Sequence, residues 1–146
     1  MIGDGELKAS CKKLIEDLEL TNNIELLGFK KNPYQYMNQS NIFCLTSEWE
    51  GYGLVAFEAM TLGIPCVVSP VGGLVNIVDE ECGYLVSTED EFKNTIIDLI
   101  YNKEIFYKKS QKSIEKSIEL ENIEVYCDKI EKIYNIERII ENEKEV

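Results

Sequence analysis

From Glu6 to Leu18 the apolar residues Leu7, Cys11, Leu14, Ile15 and Leu18 recur at steps of three and four, the period of an amphipathic helix. Ile24-Glu25-Leu26-Leu27 then forms a short run of strand length that ends at Gly28, and Ile42 to Thr46 forms a second. Between them Pro33 to Gln39 suits a short helix, with Asn32 as N-cap and Pro33 in the first helical position, where its missing N–H costs nothing. Leu54 to Leu62 carries apolar residues at Leu54, Phe57, Ala59, Met60 and Leu62, and Gly63-Ile64-Pro65 closes it as glycine followed by proline closes a helix. Cys66-Val67-Val68-Ser69 has the β-branched run of a strand buried on both faces. The loop Pro70-Val71-Gly72-Gly73 follows, and Tyr84-Leu85-Val86 is a further strand. Strands that alternate with helices over short connections predict an α/β fold, a Rossmann-like doubly wound parallel sheet.

After the N-cap region Ser87-Thr88 the pattern is helical to the end: Phe92 to Ile100, Ile105 to Leu120, then Ile123 to Ile140. Residues 1–120 are expected to form the folded domain. Residues 121–146 are expected to form an amphipathic helix, because Ile123, Cys127, Ile130, Tyr134 and Ile140 line one side of a charged segment. Such a stripe packs either on the rest of this chain or on a further domain or partner. At the other end, Met1-Ile2-Gly3-Asp4-Gly5 reads as the end of a β-strand and its turn, so the sheet is expected to be truncated at its N-terminus.

The length of 146 residues fits one domain, large enough to need no disulfide or structural metal. Fifteen Lys and Arg against 27 Asp and Glu leave a net charge of −12, a field that repels nucleic acid, so no nucleic-acid partner is expected. No histidine is present, which excludes Ser-His and Cys-His nucleophile pairs and almost every zinc enzyme site. The cysteines, Cys11, Cys44, Cys66, Cys82 and Cys127, are odd in number and include no CxxC pair, a usage that fits a reducing compartment. Cys44 and Cys66 lie inside apolar runs and read as core thiols. Without a run of about 18 apolar residues or a signal-peptide layout, a cytoplasmic location is expected.

Chemistry concentrates in Ser47-Glu48-Trp49-Glu50-Gly51-Tyr52-Gly53-Leu54-Val55-Ala56-Phe57-Glu58-Ala59-Met60, followed by Gly63-Ile64-Pro65 and by Gly72-Gly73. Glycines crowd the start of a helix at the carboxyl end of a strand, where an open α/β sheet holds its ligand and free helix N–H groups can take an anion without a basic side chain. Glu50 falls in the loop and Glu58 about a turn inside the helix. An ionised carboxylate accepts two hydrogen bonds at once, so the pair suits a sugar at one point and a ribose diol at another. From the residues alone, a solvated loop position for Glu50 and a surface helical one for Glu58 remain open. Ser47 reads as a turn-shaping hydroxyl, Trp49 as a packing residue and Asp79-Glu80-Glu81 as a solvated loop.

The segment resembles the E-x7-E motif of retaining GT-B glycosyltransferases of family GT4, S-x-x-E-G-[FY]-G-L-x-x-x-E-A-M-x-x-G-x-P, at nearly every fixed position. Gly3-Asp4-Gly5, Leu27-Gly28-Phe29, Ser69-Pro70-Val71-Gly72-Gly73 and Gly83-Tyr84-Leu85-Val86 resemble further blocks of that family's C-terminal domain, in the same order. The resemblance implies the donor-binding half of a GT-B fold, which transfers a hexose from a UDP- or GDP-sugar to a glycan or lipid-linked acceptor. It implies that Glu50 meets the donor sugar and carries the catalytic role, and that Glu58 takes the ribose hydroxyls. Gly51, Tyr52, Gly53 and Leu54 would offer N–H groups to the sugar and diphosphate, with Gly3 and Gly5 as further donor-binding positions and Gly28, Phe29 and Lys30 beside the base.

No cofactor and no metal are implied, and the chain carries no D-x-D motif. The family's acceptor domain, with the Arg and Lys that neutralise the diphosphate, would lie upstream of Met1 or on a partner chain, so these 146 residues are expected to be inactive alone. The rest of such an enzyme would bring the chain to the inner face of the membrane. The alternative is a noncatalytic nucleotide-binding subunit that needs a separate acceptor-binding chain.

Overall fold

In the computed structural model, residues 1–122 and Cys127 are described, and the expected helix over 121–146 falls almost wholly outside them. The chain forms two compact units, Met1–Ser40 and Asn41–Val146.

In the first unit, α1 (Lys8–Asp17) and the one-turn α2 (Tyr34–Met37) stand where the apolar period and the Asn-Pro pair predict them. The N-cap falls on Pro33 rather than on the expected Asn32, because the Pro33 carbonyl accepts the first helical bonds, and no side chain caps that end; Asn32 Oδ1, one residue earlier, accepts the Tyr34 N–H at 3.2 Å. The predicted strand Ile24–Leu27 is not a formed strand. Its segment bonds to the first residues of the chain, Leu27 N–H to the Met1 carbonyl (2.9 Å) and Gly3 N–H to the Gly28 carbonyl (3.0 Å). Those few residues offer too short a partner for a ladder.

The second unit is built on three parallel strands, β1 (Phe43–Leu45), β2 (Cys66–Val68) and β3 (Gly83–Leu85), in the order β1-β2-β3. Phe43 pairs with Cys66 and Cys66 with Gly83. The helices are α3 (Leu54–Thr61), the one-turn α4 (Leu74–Ile77), α5 (Glu89–Tyr101) and α6 (Lys103–Leu120). Alternation along β2 assigns the faces: the Cys66 thiol bonds to the Ala56 carbonyl of α3, while Val67 packs with Phe92, Ile96 and Leu99 of α5. Helices therefore cover opposite faces of a parallel sheet, the doubly wound arrangement that the alternation of elements predicts.

Core and caps follow from the sequence. Val67, Val68, Cys66, Met60 and Leu74 are fully buried. Gly63, at φ +69°, ends α3: its N–H reaches the Met60 carbonyl and the Ile64 N–H reaches that of Ala59, the paired bonds that only a left-handed residue can complete. Cys44 departs from expectation and is exposed; it lies on β1, at the edge of the sheet. All five cysteines are free. The loop at Asp79 is no merely solvated turn, since Asp79 Oδ1 accepts the Glu81 and Cys82 N–H groups and Oδ2 pairs with Lys116 at 3.1 Å. Burial would raise the Asp79 carboxyl, but the Lys116 ammonium and these N–H groups outweigh it and hold it below the ordinary carboxylate value.

From α6, Lys109 Nζ donates to the carbonyls of Glu80 (2.6 Å) and Gly83 (3.1 Å), Ser110 to Gly63 (2.6 Å) and Ser113 to Cys82 (2.9 Å). One helix thus donates to carbonyls of the segments that lead into β2 and β3 and of Gly83, the first residue of β3. Among the described residues, no helix is long and apolar enough to cross a membrane.

α5 opens on a reciprocal cap: Thr88 Oγ1 accepts the Glu91 N–H at 3.2 Å, and Glu91 Oε2 accepts those of Ser87 (2.7 Å) and Thr88 (3.1 Å). Thr88→Ala should cost about 1 kcal/mol of unfolding free energy in a denaturant titration. The two backbone N–H bonds lower the Glu91 carboxyl below 4.5. Its contribution is therefore present above pH 4.5 and is lost as pH falls through the lowered value, so acid should shrink the cost of Thr88→Ala.

Candidate functional site

The loop from Ser47 to Gly53 joins the carboxyl end of β1 to α3. Gly53, at φ +82°, sits where the chain turns into the helix, and no side chain caps that end. The Gly53 carbonyl accepts from Ala56 (2.9 Å) and Phe57 (3.3 Å), so the N–H groups of Leu54 and Val55 stand ahead of the helical ladder. A glycine is required here for two reasons. The left-handed backbone disfavours a side chain, and a Cβ would lie 2.5 Å from Leu74 Cδ2.

Glu50 is half-buried, and its Oε1 accepts the N–H of the next residue, Gly51, at 3.0 Å. Glu58 is half-buried within α3, one turn beyond the uncapped end. Gly51 is open, and Tyr52 and Leu54 are 60% and 62% exposed. Trp49 is 83% exposed, contrary to the expected packing role. The loop packs on its neighbour through the backbone of Glu50, Gly51 and Tyr52.

That packing surface is the turn Gly72-Gly73, which the sequence shows only as a glycine pair after a strand. Gly73 N–H donates to the Gly51 carbonyl at 2.7 Å, and a Cβ on Gly73 would come within 2.4 Å of the Tyr52 carbonyl oxygen. Leu74, fully buried, lies under Gly53. The Ser47–Glu58 segment and the 72–74 turn thus form one site within the second unit. A helix N-terminus with free N–H groups suits an anion, and carboxylates before and after it accept hydroxyl hydrogens.

The other expected site residues belong to the first unit. Gly3, at φ +137°, bonds to Gly28, at φ +68°; Gly5 N–H donates to Asp4 Oδ1 at 3.0 Å, and Lys8 pairs with Asp4 at 2.9 Å. Phe29 is 75% exposed, and Lys30 Nζ lies 5.5 Å from the centre of the Tyr36 ring. The structure brings Gly3, Gly28, Asp4 and Lys8 together.

Comparison with known proteins agrees with this architecture. The family model described as "Glycosyl transferases group 1" matches residues 1–120. The chain is 31% identical over 138 residues to the UDP-Gal:alpha-D-GlcNAc-diphosphoundecaprenol alpha-1,3-galactosyltransferase of Escherichia coli, covering 92% of this chain and 35% of that protein. It is 43% identical over 67 residues to an uncharacterized glycosyltransferase of Methanocaldococcus jannaschii, covering 46% of this chain and 16% of that one. The chain thus spans well under half the length of these relatives. Among solved structures, TarM superimposes with a TM-score of 0.81 at 28% identity over 92% of this chain and 28% of TarM. A mutant of Staphylococcus aureus TarM solved with Fondaparinux, alpha-GlcNAc-glycerol and UDP superimposes with a TM-score of 0.74 at 26% identity, over 92% of this chain and 28% of that one. The chain belongs to the glycosyl transferases group 1 family, and its Rossmann-like sheet is that of GT-B glycosyltransferases such as TarM.

Proposed function

We propose that this chain is the donor-binding part of a retaining glycosyltransferase of family GT4, one that takes a hexose from UDP- or GDP-sugar and passes it to a glycan or lipid-linked acceptor. The observation that carries this reading is the uncapped start of α3, with Glu50 immediately before it and Glu58 one turn within it. The diphosphate meets the N–H groups of Gly51 to Leu54. The donor sugar meets Glu50, the catalytic carboxylate, and the ribose diol meets Glu58. As the glycosidic bond breaks, negative charge grows on the departing diphosphate, so fixed N–H donors aimed at it supply rate without a resident metal or cofactor. Gly3, Gly5, Gly28, Phe29 and Lys30 keep the donor-side roles that the resemblance implies.

The names of the relatives support the donor class: the Escherichia coli protein is described as using UDP-Gal and a diphosphoundecaprenol-linked acceptor, and a TarM structure holds UDP. Acceptor binding and turnover belong to further residues of the enzyme, at the cytoplasmic face of a membrane, and the 146 residues alone are inactive. No observation favours the noncatalytic subunit over this reading.

Calorimetric titration tests the two carboxylates separately. Glu58→Ala should weaken UDP and UDP-sugar alike by about tenfold, the worth of hydrogen bonds to a charged group. Glu50→Ala should leave UDP affinity close to that of the unaltered chain and remove the extra affinity of the sugar nucleotide. Unchanged affinities in both variants would refute the assignment.

A further inference from the structure

The turn at Gly72-Gly73 fits the Glu50 loop residue by residue. A Cβ at Gly72 would stand 1.7 Å from the Glu50 carbonyl oxygen and 2.7 Å from its carbon, so that carbonyl points at Gly72. Gly73 N–H holds the Gly51 carbonyl at 2.7 Å, the face of Gly73 abuts the Tyr52 backbone, and Leu74 fills the space beneath Gly53. Loop positions 50 to 53 thus run alongside turn positions 72 to 74, with no side chain between the two backbones at Gly72 and Gly73.

A peptide unit is planar and trans, so fixing its carbonyl fixes the opposite direction for its N–H. With the Glu50 carbonyl against Gly72, the Gly51 N–H faces away from the turn, where Glu50 Oε1 accepts it at 3.0 Å. With the Gly51 carbonyl on Gly73, the Tyr52 N–H also faces away. These are two of the amides assigned above to the diphosphate and sugar.

We propose that Gly72 and Gly73 are positioning residues for the donor site: by pinning the carbonyls of Glu50 and Gly51, they aim the Gly51 and Tyr52 N–H groups at the nucleotide sugar. This rests on the donor-binding reading of the Glu50 loop. Glu50 Oε1, which accepts the Gly51 N–H at 3.0 Å, lies on that same outward side of the loop. The turn also explains why two glycines are needed in succession. Gly72 requires a left-handed backbone (φ +53°) as well as close approach, whereas Gly73, at φ −69°, requires close approach alone.

The test combines amide hydrogen exchange by NMR with titration of UDP, on the whole chain and on Gly73→Ala, whose backbone angle suits alanine. Thr88→Ala serves as the control for a remote loss of stability. In the unaltered chain the Gly73 amide should be protected while that of Tyr52 exchanges quickly, and UDP should slow exchange at Tyr52. Gly73→Ala should shift the amide signals of Gly51 to Gly53 and weaken UDP about tenfold, an effect absent from Thr88→Ala. If Gly73→Ala does not fold, the exchange pattern of the unaltered chain decides. Rapid exchange at Gly73, or loop signals unmoved in Gly73→Ala, would overturn the clamp. Displaced loop signals with UDP affinity retained would overturn its role in aiming the amides. Failure of the unaltered chain to bind UDP or GDP while Gly73 stays protected would instead refute the donor reading, and with it the aim proposed for these amides.

Discussion

Raising the pH from 9 to 11 should unfold this protein progressively, because two thiols are sealed in its core. Cys66 and Cys82 are fully buried, and burial is the main reason both resist ionisation. The Cys82 thiol is pushed from 9.0 to about 11, and Cys66 higher still, with Cys82 and Cys44 adding to its rise. A group whose pKa is higher in the folded state stabilises fully below its unfolded value, and that stability is lost as pH climbs through the folded one. The loss therefore begins near pH 9 and grows upward. For Cys82 alone it amounts to about 2.7 kcal/mol, a large part of an ordinary domain's stability. Tyr84, also raised mainly by burial, adds to the loss above pH 10. Lys109 works in the opposite sense: burial lowers its amine below 10.5, so the folded chain holds fewer protons there and its contribution grows with pH up to that point. Asp79 stays ionised throughout this range. Lys116, raised by its bond to Asp79, loses that bond only above 10.5.

Thermal midpoints measured under reducing conditions at intervals between pH 8 and pH 11 would check this. The midpoint should fall by about 8 °C or more, at a few degrees per kcal/mol. Cys82→Ala, whatever it costs at pH 8, should flatten the slope between 9 and 11, and adding Cys66→Ala should flatten it further. A midpoint independent of pH across this range would contradict the assignment of both thiols.

The burial of Cys66 was legible in the sequence, because Cys66-Val67-Val68 is a short apolar run bounded by Pro65 and Ser69, the pattern of a central strand. Cys44 has the same local pattern yet is exposed, since sheet order, which local pattern does not carry, tells an edge strand from a central one. The caps were legible for a related reason: Thr88 with Glu91, and Gly63 before Pro65, encode bonds within a few residues of themselves. Asn32 and Pro33 mark the start of α2 to within a residue, the N-cap falling on Pro33 instead of Asn32. The positions of Glu50 before the start of α3 and of Glu58 one turn within it were legible through their spacing. What periodicity could not show was contact at long range. Gly72 and Gly73 stand some twenty residues from the loop they hold and carry no side chain to advertise it. The one-turn helix α4 was missed beside them, being too short to display a period. Local hydrophobicity also misrepresents Trp49, which is exposed in this chain.

Nucleoside diphosphates offer the second large effect. At about a hundred times its Kd, a ligand that binds only the folded chain adds about 2.7 kcal/mol, which should raise the thermal midpoint by about 8 °C. The gain should be selective, large for UDP or GDP and small for ADP, because the three share the diphosphate and ribose and differ only in the base, which on the proposed reading lies beside Gly28, Phe29 and Lys30. The sugar nucleotide should add to the shift given by the parent diphosphate, since Glu50 gains a hydroxyl partner only when the sugar is present. Glu58→Ala should about halve the shift at the same ligand concentration, because a tenfold weaker Kd leaves about 1.4 kcal/mol of the increment. Thr88→Ala should begin from a lower midpoint and show the full increment. The increment, rather than the midpoint, therefore separates binding from stability. An equal rise with all three nucleotides would indicate a general anion site at the start of α3, and no rise with any of them would refute the donor assignment for this chain.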